Sequence, residues 1–127
     1  MKDAIGLLNR IEAANVLDAA TGRGDFITIL KQHLKSYIQI IGIDASEKSV
    51  DQAQKRFPEN DVEIYRMDLE ALDFDDDSFD LVTIAKTDFK RLMQDNFELA
   101  WHVMCNLTRR LRDADRKIES LALMDVY

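Results

Sequence analysis

Residues 15–25 read Asn-Val-Leu-Asp-Ala-Ala-Thr-Gly-Arg-Gly-Asp, and no other stretch constrains the fold so tightly. Apolar Val16 and Leu17 run into Asp18. A glycine-marked turn, Ala20-Thr21-Gly22-Arg23-Gly24, follows, and a helical pattern then begins. A strand, a glycine turn and a helix in that order bring backbone N–H groups and a positive helix end up to a nucleotide-like ligand. A second apolar run, Ile40-Ile41-Gly42-Ile43, ends in Asp44, 20 residues beyond Gly24. At about that spacing an acid meets a ribose diol. A lone pair of glycines can also do no more than shape a strand–helix turn.

The rest of the first 84 residues repeats the alternation. Residues 3–13 carry Ile5, Leu8 and Ile11 at helical spacing. Residues 16–20 predict strand one. Residues 24–35 predict a helix with Phe26, Ile27, Leu30 and Leu34 as its buried stripe. Residues 38–43 predict a strand buried on both faces. Ser46 predicts the cap of a helix that runs to about Arg56 and stops before Pro58. Val62–Arg66 and Asp80–Ile84 predict strands three and four, with the acidic loop Asp68–Ser78 between them. Alternating strands and helices imply an α/β fold with a parallel sheet, here of order 3-2-1-4. The ligand crevice then lies beside strand one, where the order reverses.

At 127 residues the chain fits one modest core. Residues 1–84 hold 17 Asp/Glu against 9 Lys/Arg, whereas residues 85–127 hold 7 against 8. An acidic body argues against nonspecific binding to nucleic acid or anionic membranes. Cys105 is the single cysteine, which excludes an intrachain disulfide and a cysteine metal cluster. No signal peptide and no membrane-length apolar run is evident, so a cytoplasmic protein is expected.

Residues 15–84 resemble the front half of class I S-adenosylmethionine-dependent methyltransferases. Val16–Phe26 resembles the family's first motif, an acid before a turn with three alternating glycines. Ala20, Gly22 and Gly24 take those places here. Ile41–Ser46 resembles the second motif, and Arg66–Val82 the third. The resemblance implies S-adenosyl-L-methionine as cofactor. It implies that Asp18 faces the methionyl amino end and that Asp44, beside Ala45, holds the ribose hydroxyls. It implies that Asp68 meets the adenine amino group and the backbone of Leu69 its ring. The cofactor-binding set is thus Asp18, Ala20, Gly22, Gly24, Asp44, Ala45, Asp68 and Leu69. No catalytic side chain is named, because methyl transfer asks the enzyme mostly for alignment.

All four glycines and the one proline precede residue 85. From Phe97 onward no breaker occurs. Phe97, Ala100, Met104, Leu107, Leu111, Ala114, Ile118 and Leu121 alternate spacings of three and four, the pattern of a coiled-coil seam. Residues 86–127 resemble the dimerisation helix of the cyclic-AMP receptor protein/fumarate-nitrate regulator family. The carriers are Phe89–Leu92, Leu107–Leu111 and the closing Leu-Ala-Leu-Met-Asp-Val. The expectation is therefore a Rossmann-like sheet truncated after strand four and joined to one long helix. That gives a partial cofactor domain at 1–84 and a dimerisation segment at 85–127. It implies a chimera that forms a homodimer through residues 97–121. Turnover is expected to be weak or absent, since the family's acceptor-binding half is missing. The alternative is a non-enzymatic structural dimer with a vestigial pocket.

The remaining candidates favour ordinary roles. Asp73, Asp75, Asp76 and Asp77 lack the glycine and twelfth-place glutamate of a calcium loop, so a solvated turn is expected and no metal site. His33 and His102 lie on predicted helices without partners. Cys105 is expected in the core, Trp101 as an anchor on the sheet, and Arg109-Arg110 as a solvated flank.

Overall fold

The computed structural model describes residues 6, 8–10, 12–112 and 118–121. The expected helix at 3–13 falls partly outside them, and the seam position Ala114 wholly. The described elements run β1 (Asn15–Ala19), α1 (Asp25–His33), β2 (Gln39–Asp44), α2 (Glu47–Arg56), β3 (Val62–Arg66), β4 (Leu81–Ala85), α3 (Lys86–Asp95), α4 (Phe97–Arg109) and β5 (Ile118–Leu121). The five strands form one sheet of order β3-β2-β1-β4-β5, and every pairing is parallel.

Period-two alternation sends successive strand residues to opposite faces. Val16, Ile40, Val62, Ile64 and Leu81 face one layer, where they meet Phe26, Ile27 and Leu30 of α1 and Val50 and Ala53 of α2. Leu17, Ala19, Ile43, Val82 and Ile84 face the other, where they meet Val103 and Leu107 of α4, and Leu111. The near-continuous apolar run of β2 follows from burial on both faces. Gly42 lets α1 lie close on the sheet: a Cβ there would sit 2.8 Å from Ile27 Cδ1 and 2.9 Å from Ile64 Cδ1. Ser46 caps α2 by accepting the Ser49 N–H at 3.2 Å, and α2 stops before Pro58.

Beyond β4 the architecture differs from the expectation. The helix from Phe97 ends at Arg109 rather than running to residue 121. Its last turn tightens, with the Arg110 N–H on Leu107 O at 3.1 Å and the Leu111 N–H on Thr108 O at 3.0 Å. The loop before β4 then takes the helix end. Asp77 N–H donates to Arg109 O, Phe79 N–H donates to Arg110 O, and Arg112 N–H donates to Phe79 O. These long-range bonds stop the helix where no glycine or proline does.

Nor is the sheet truncated at four strands. β5 pairs with β4 in parallel register, Val82 opposite Ile118 and Ala85 opposite Leu121, so these two seam positions belong to a strand. Residues on both sides of position 84 share one apolar cluster, from Leu17 and Ile84 to Val103 and Leu107.

Side chains on α4 also depart from their expected places. The buried stripe is Ala100, Val103 and Leu107, facing the sheet, and Val103 is not a seam position. Phe97 and Trp101 are 60% and 63% exposed, so Trp101 does not anchor on the sheet. Cys105 is exposed rather than in the core. Arg110 is half-buried, and its guanidinium donates to Leu72 O and Phe74 O at 3.1 and 3.2 Å. It therefore clamps the acidic loop. Among the described residues no helix is long and apolar enough to cross a membrane.

Candidate functional site

The C-terminal tips of β1, β2 and β4 converge on the loop between β1 and α1. That loop is wound left-handed: Ala20 has φ 56°, Gly22 59° and Gly24 92°. The three alternating positions of the turn are thus the three that need positive φ, a conformation that costs an L-residue about 1–2 kcal/mol. Ala20 bears that cost. Gly24 has a second reason to be glycine, since a Cβ there would lie 2.5 Å from Phe57 Cε2. Gly24 also begins α1 without any side-chain cap, and the positive helix end stands beside the turn.

Two carboxylates lock the loop. Asp44, at the tip of β2, accepts the Gly22 N–H on Oδ2 and the Ser46 N–H on Oδ1, each at 2.9 Å. Asp18, at the tip of β1, is 2% exposed. Its Oδ2 accepts the Thr21 hydroxyl at 2.6 Å and its Oδ1 the Thr83 hydroxyl at 2.7 Å. Burial pushes the Asp18 carboxyl up to about 7. The two hydroxyls pull it down, and the charges of Asp88 and Asp44 push it further up. The Thr21 N–H donates to Ile43 O at 2.8 Å, which ties the turn to β2.

A cleft of about 240 Å³ opens here between the turn and the first residues of α3. Its walls include Asp18, Ala20, Thr21 and Gly22 on one side and Ala85, Thr87 and Asp88 on the other. Burial raises the Asp88 carboxyl as well; Arg91 opposes that shift and the Asp44 charge adds to it.

The structure brings Asp18, Ala20 and Gly22 together on the cleft wall and binds Asp44 to them through Gly22. Gly24 lies buried behind the turn. Ala45 and Asp68 are exposed beyond the tips of β2 and β3, and Leu69 packs half-buried on the cluster around Leu17 and Ile43. None of Ala45, Asp68 and Leu69 lines the cleft. The Met67 N–H, on Asp44 O at 3.0 Å, places the loop that carries Asp68 beside Asp44.

Sequence reasoning missed Thr21, Thr83 and Asp88. Thr83 lies 65 residues from Asp18, and no local spacing points to it. Asp88 was hidden because its segment reads as part of a dimerisation element. Among the described residues no group of three or more His, Cys, Asp or Glu is placed to hold a metal ion.

Residues 16–112 match the methyltransferase domain family. The chain belongs to that family. The match crosses position 84 and takes in residues 86–112, so the methyltransferase resemblance does not stop at β4. The demethylmenaquinone methyltransferase of Thermotoga maritima is 37% identical over 84 residues, which are 66% of this chain and 35% of that protein. A protein of Pyrococcus horikoshii superposes with a TM-score of 0.71 at 25% identity, over 88% of this chain and 50% of its own. An amino pentose methyltransferase of Micromonospora echinaspora, solved with SAM bound, superposes with a TM-score of 0.71 at 19% identity, over 87% and 44%. The chain thus spans about a third of the curated relative's length and about half of these solved chains.

Proposed function

We propose that this methyltransferase domain binds S-adenosyl-L-methionine across the tips of β3, β2 and β1 and presents it toward α3. The cofactor-binding residues are Asp18, Ala20, Gly22, Gly24, Asp44, Ala45, Asp68 and Leu69. The observation that carries the reading is the bond from the Gly22 N–H to Asp44. It joins the glycine turn to the acid at the tip of β2. Each Asp44 oxygen takes one backbone N–H, and a carboxylate offers about four lone-pair sites in all. Acceptor capacity therefore remains on both oxygens for two adjacent hydroxyls of a ribose. The left-handed turn lets backbone approach the ligand closely, as a nucleotide site requires.

In this reading the strand order sets the ligand's direction. The adenine end lies by Asp68 and Leu69 beyond β3, the ribose at Asp44, and the sulfonium end by Asp18 and the cleft. Bound S-adenosylmethionine supplies a methyl already activated by its sulfonium. The chain's own residues then orient it, and alignment is most of what such a transfer needs. Turnover by this length of chain is expected to be weak or absent. Among the described residues, the cleft is lined beyond the glycine turn and α1 by Ala85 at the end of β4 and by Thr87 and Asp88 of α3.

Calorimetric titration with S-adenosylhomocysteine tests the reading. Micromolar binding by the 127-residue chain is expected, with at least about a tenfold loss in Asp44→Ala and in Gly22→Val. No binding by the folded wild type would sink the proposal. A second reading, self-association with the cleft as inherited scaffold, draws on exposed Met93, Phe97 and Trp101. Light scattering decides it: a monomer mass removes that reading.

A further inference from the structure

We propose that Asp88 is a specificity-determining residue that recognises an amine on the methyl acceptor. This rests on the cofactor reading above, and it concerns the opposite wall of the cleft. Asp88 lies in the first turn of α3, directly after β4. With Ala85 and Thr87 it forms the wall facing Asp18 and Gly22. If the cofactor runs from the tip of β3 toward β1, this wall meets what lies beyond the sulfonium.

The charges at this end of the cleft are predominantly negative. Asp18, Asp25 and Asp88 line it, and Asp44 stands close behind, bound to the Gly22 N–H. Arg23 also lines the cleft, where it pairs with Asp25 at 3.3 Å and is 68% exposed at its side chain. Arg91 stands 3.7 Å from Asp88 and is 71% exposed. The Asp88 side chain itself is only 27% exposed. An acceptor arriving as a carboxylate or phosphate meets repulsion here. A protonated amine meets attraction and a half-buried oxygen that accepts its N–H, the charge-assisted kind of hydrogen bond. An acidic residue in a helix's first turn can also serve the helix alone, so the test must separate the two roles.

Sinefungin makes that separation, because an amine-bearing carbon replaces the sulfonium and its methyl. Its ammonium projects where an acceptor amine would approach. Sinefungin and S-adenosylhomocysteine are titrated calorimetrically into wild type, Asp88→Asn and Arg91→Gln. Wild type is expected to bind sinefungin about tenfold more tightly than S-adenosylhomocysteine. Asp88→Asn is expected to abolish that preference and to keep its affinity for S-adenosylhomocysteine within about twofold. Arg91→Gln removes the competing cation and is expected to widen the preference. A wild type that binds both ligands equally, or a preference that survives Asp88→Asn, overturns the assignment. Failure of the wild type to bind S-adenosylhomocysteine at all overturns the cofactor reading itself, which this titration reports separately.

Discussion

Ala20 is the one non-glycine among the three left-handed positions of the turn, and that conformation carries a cost. It holds φ 56°, where a Cβ crowds the following carbonyl. Glycine would remove that strain but adds freedom to the unfolded chain, which offsets part of the gain. Ala20→Gly is expected to stabilise the protein by up to about 1 kcal/mol, read as a higher urea midpoint with an unchanged slope. Equal or lower stability would mean that the turn has relaxed around the alanine. The turn, Asp18 and Asp44 were legible in the sequence because their geometry is local and the spacing carries it. The partners of Asp18 were only half legible. Thr21 is three residues on, but Thr83 arrives through the pairing of β1 with β4.

At the scale of elements, hydrophobic pattern found four strands and two helices to within a residue or two. It failed where tertiary contacts overrule it. The spacing from Phe97 to Leu121 satisfies a seam, yet Arg109 and Arg110 give their carbonyls to Asp77 and Phe79. A periodic stripe identifies a buried face but not what covers it, and here the sheet covers it. Val103 was missed for the same reason: a sheet-facing stripe is broader than a seam. The Arg110 clamp belongs to this scale, because it joins the end of α4 to the loop between β3 and β4. Arg110→Ala is expected to cost about 1–2 kcal/mol, given that the guanidinium is only half-buried. Limited proteolysis should then cut between residues 68 and 78. Protection equal to wild type would assign the loop's order to Phe74 and Phe79, whose rings meet edge-on at 5.0 Å.

Across the whole molecule, the two faces of one sheet carry separate apolar clusters, and a buried acid sits at their common end. Asp18 ties stability to pH. Its folded value, about 7, stands well above the ordinary aspartate range. The folded chain keeps a proton that the unfolded chain has released, so this contribution is full below about pH 4 and is lost as pH rises to about 7. Asp18→Asn holds no such proton. Relative to wild type it is expected to gain on the order of 2–4 kcal/mol between pH 4 and pH 7. Parallel thermal melts at several pH values measure this, and a constant gap between the two proteins would refute the shift.

The bonds that hold the glycine turn have a kinetic consequence. Gly22 rests on Asp44, and Thr21 rests on both Asp18 and Ile43, before any ligand arrives. An incoming nucleoside meets a loop already wound and does not have to order this turn. Its capture should then follow a single exponential whose rate rises in proportion to ligand concentration, without the plateau that a slow rearrangement would impose.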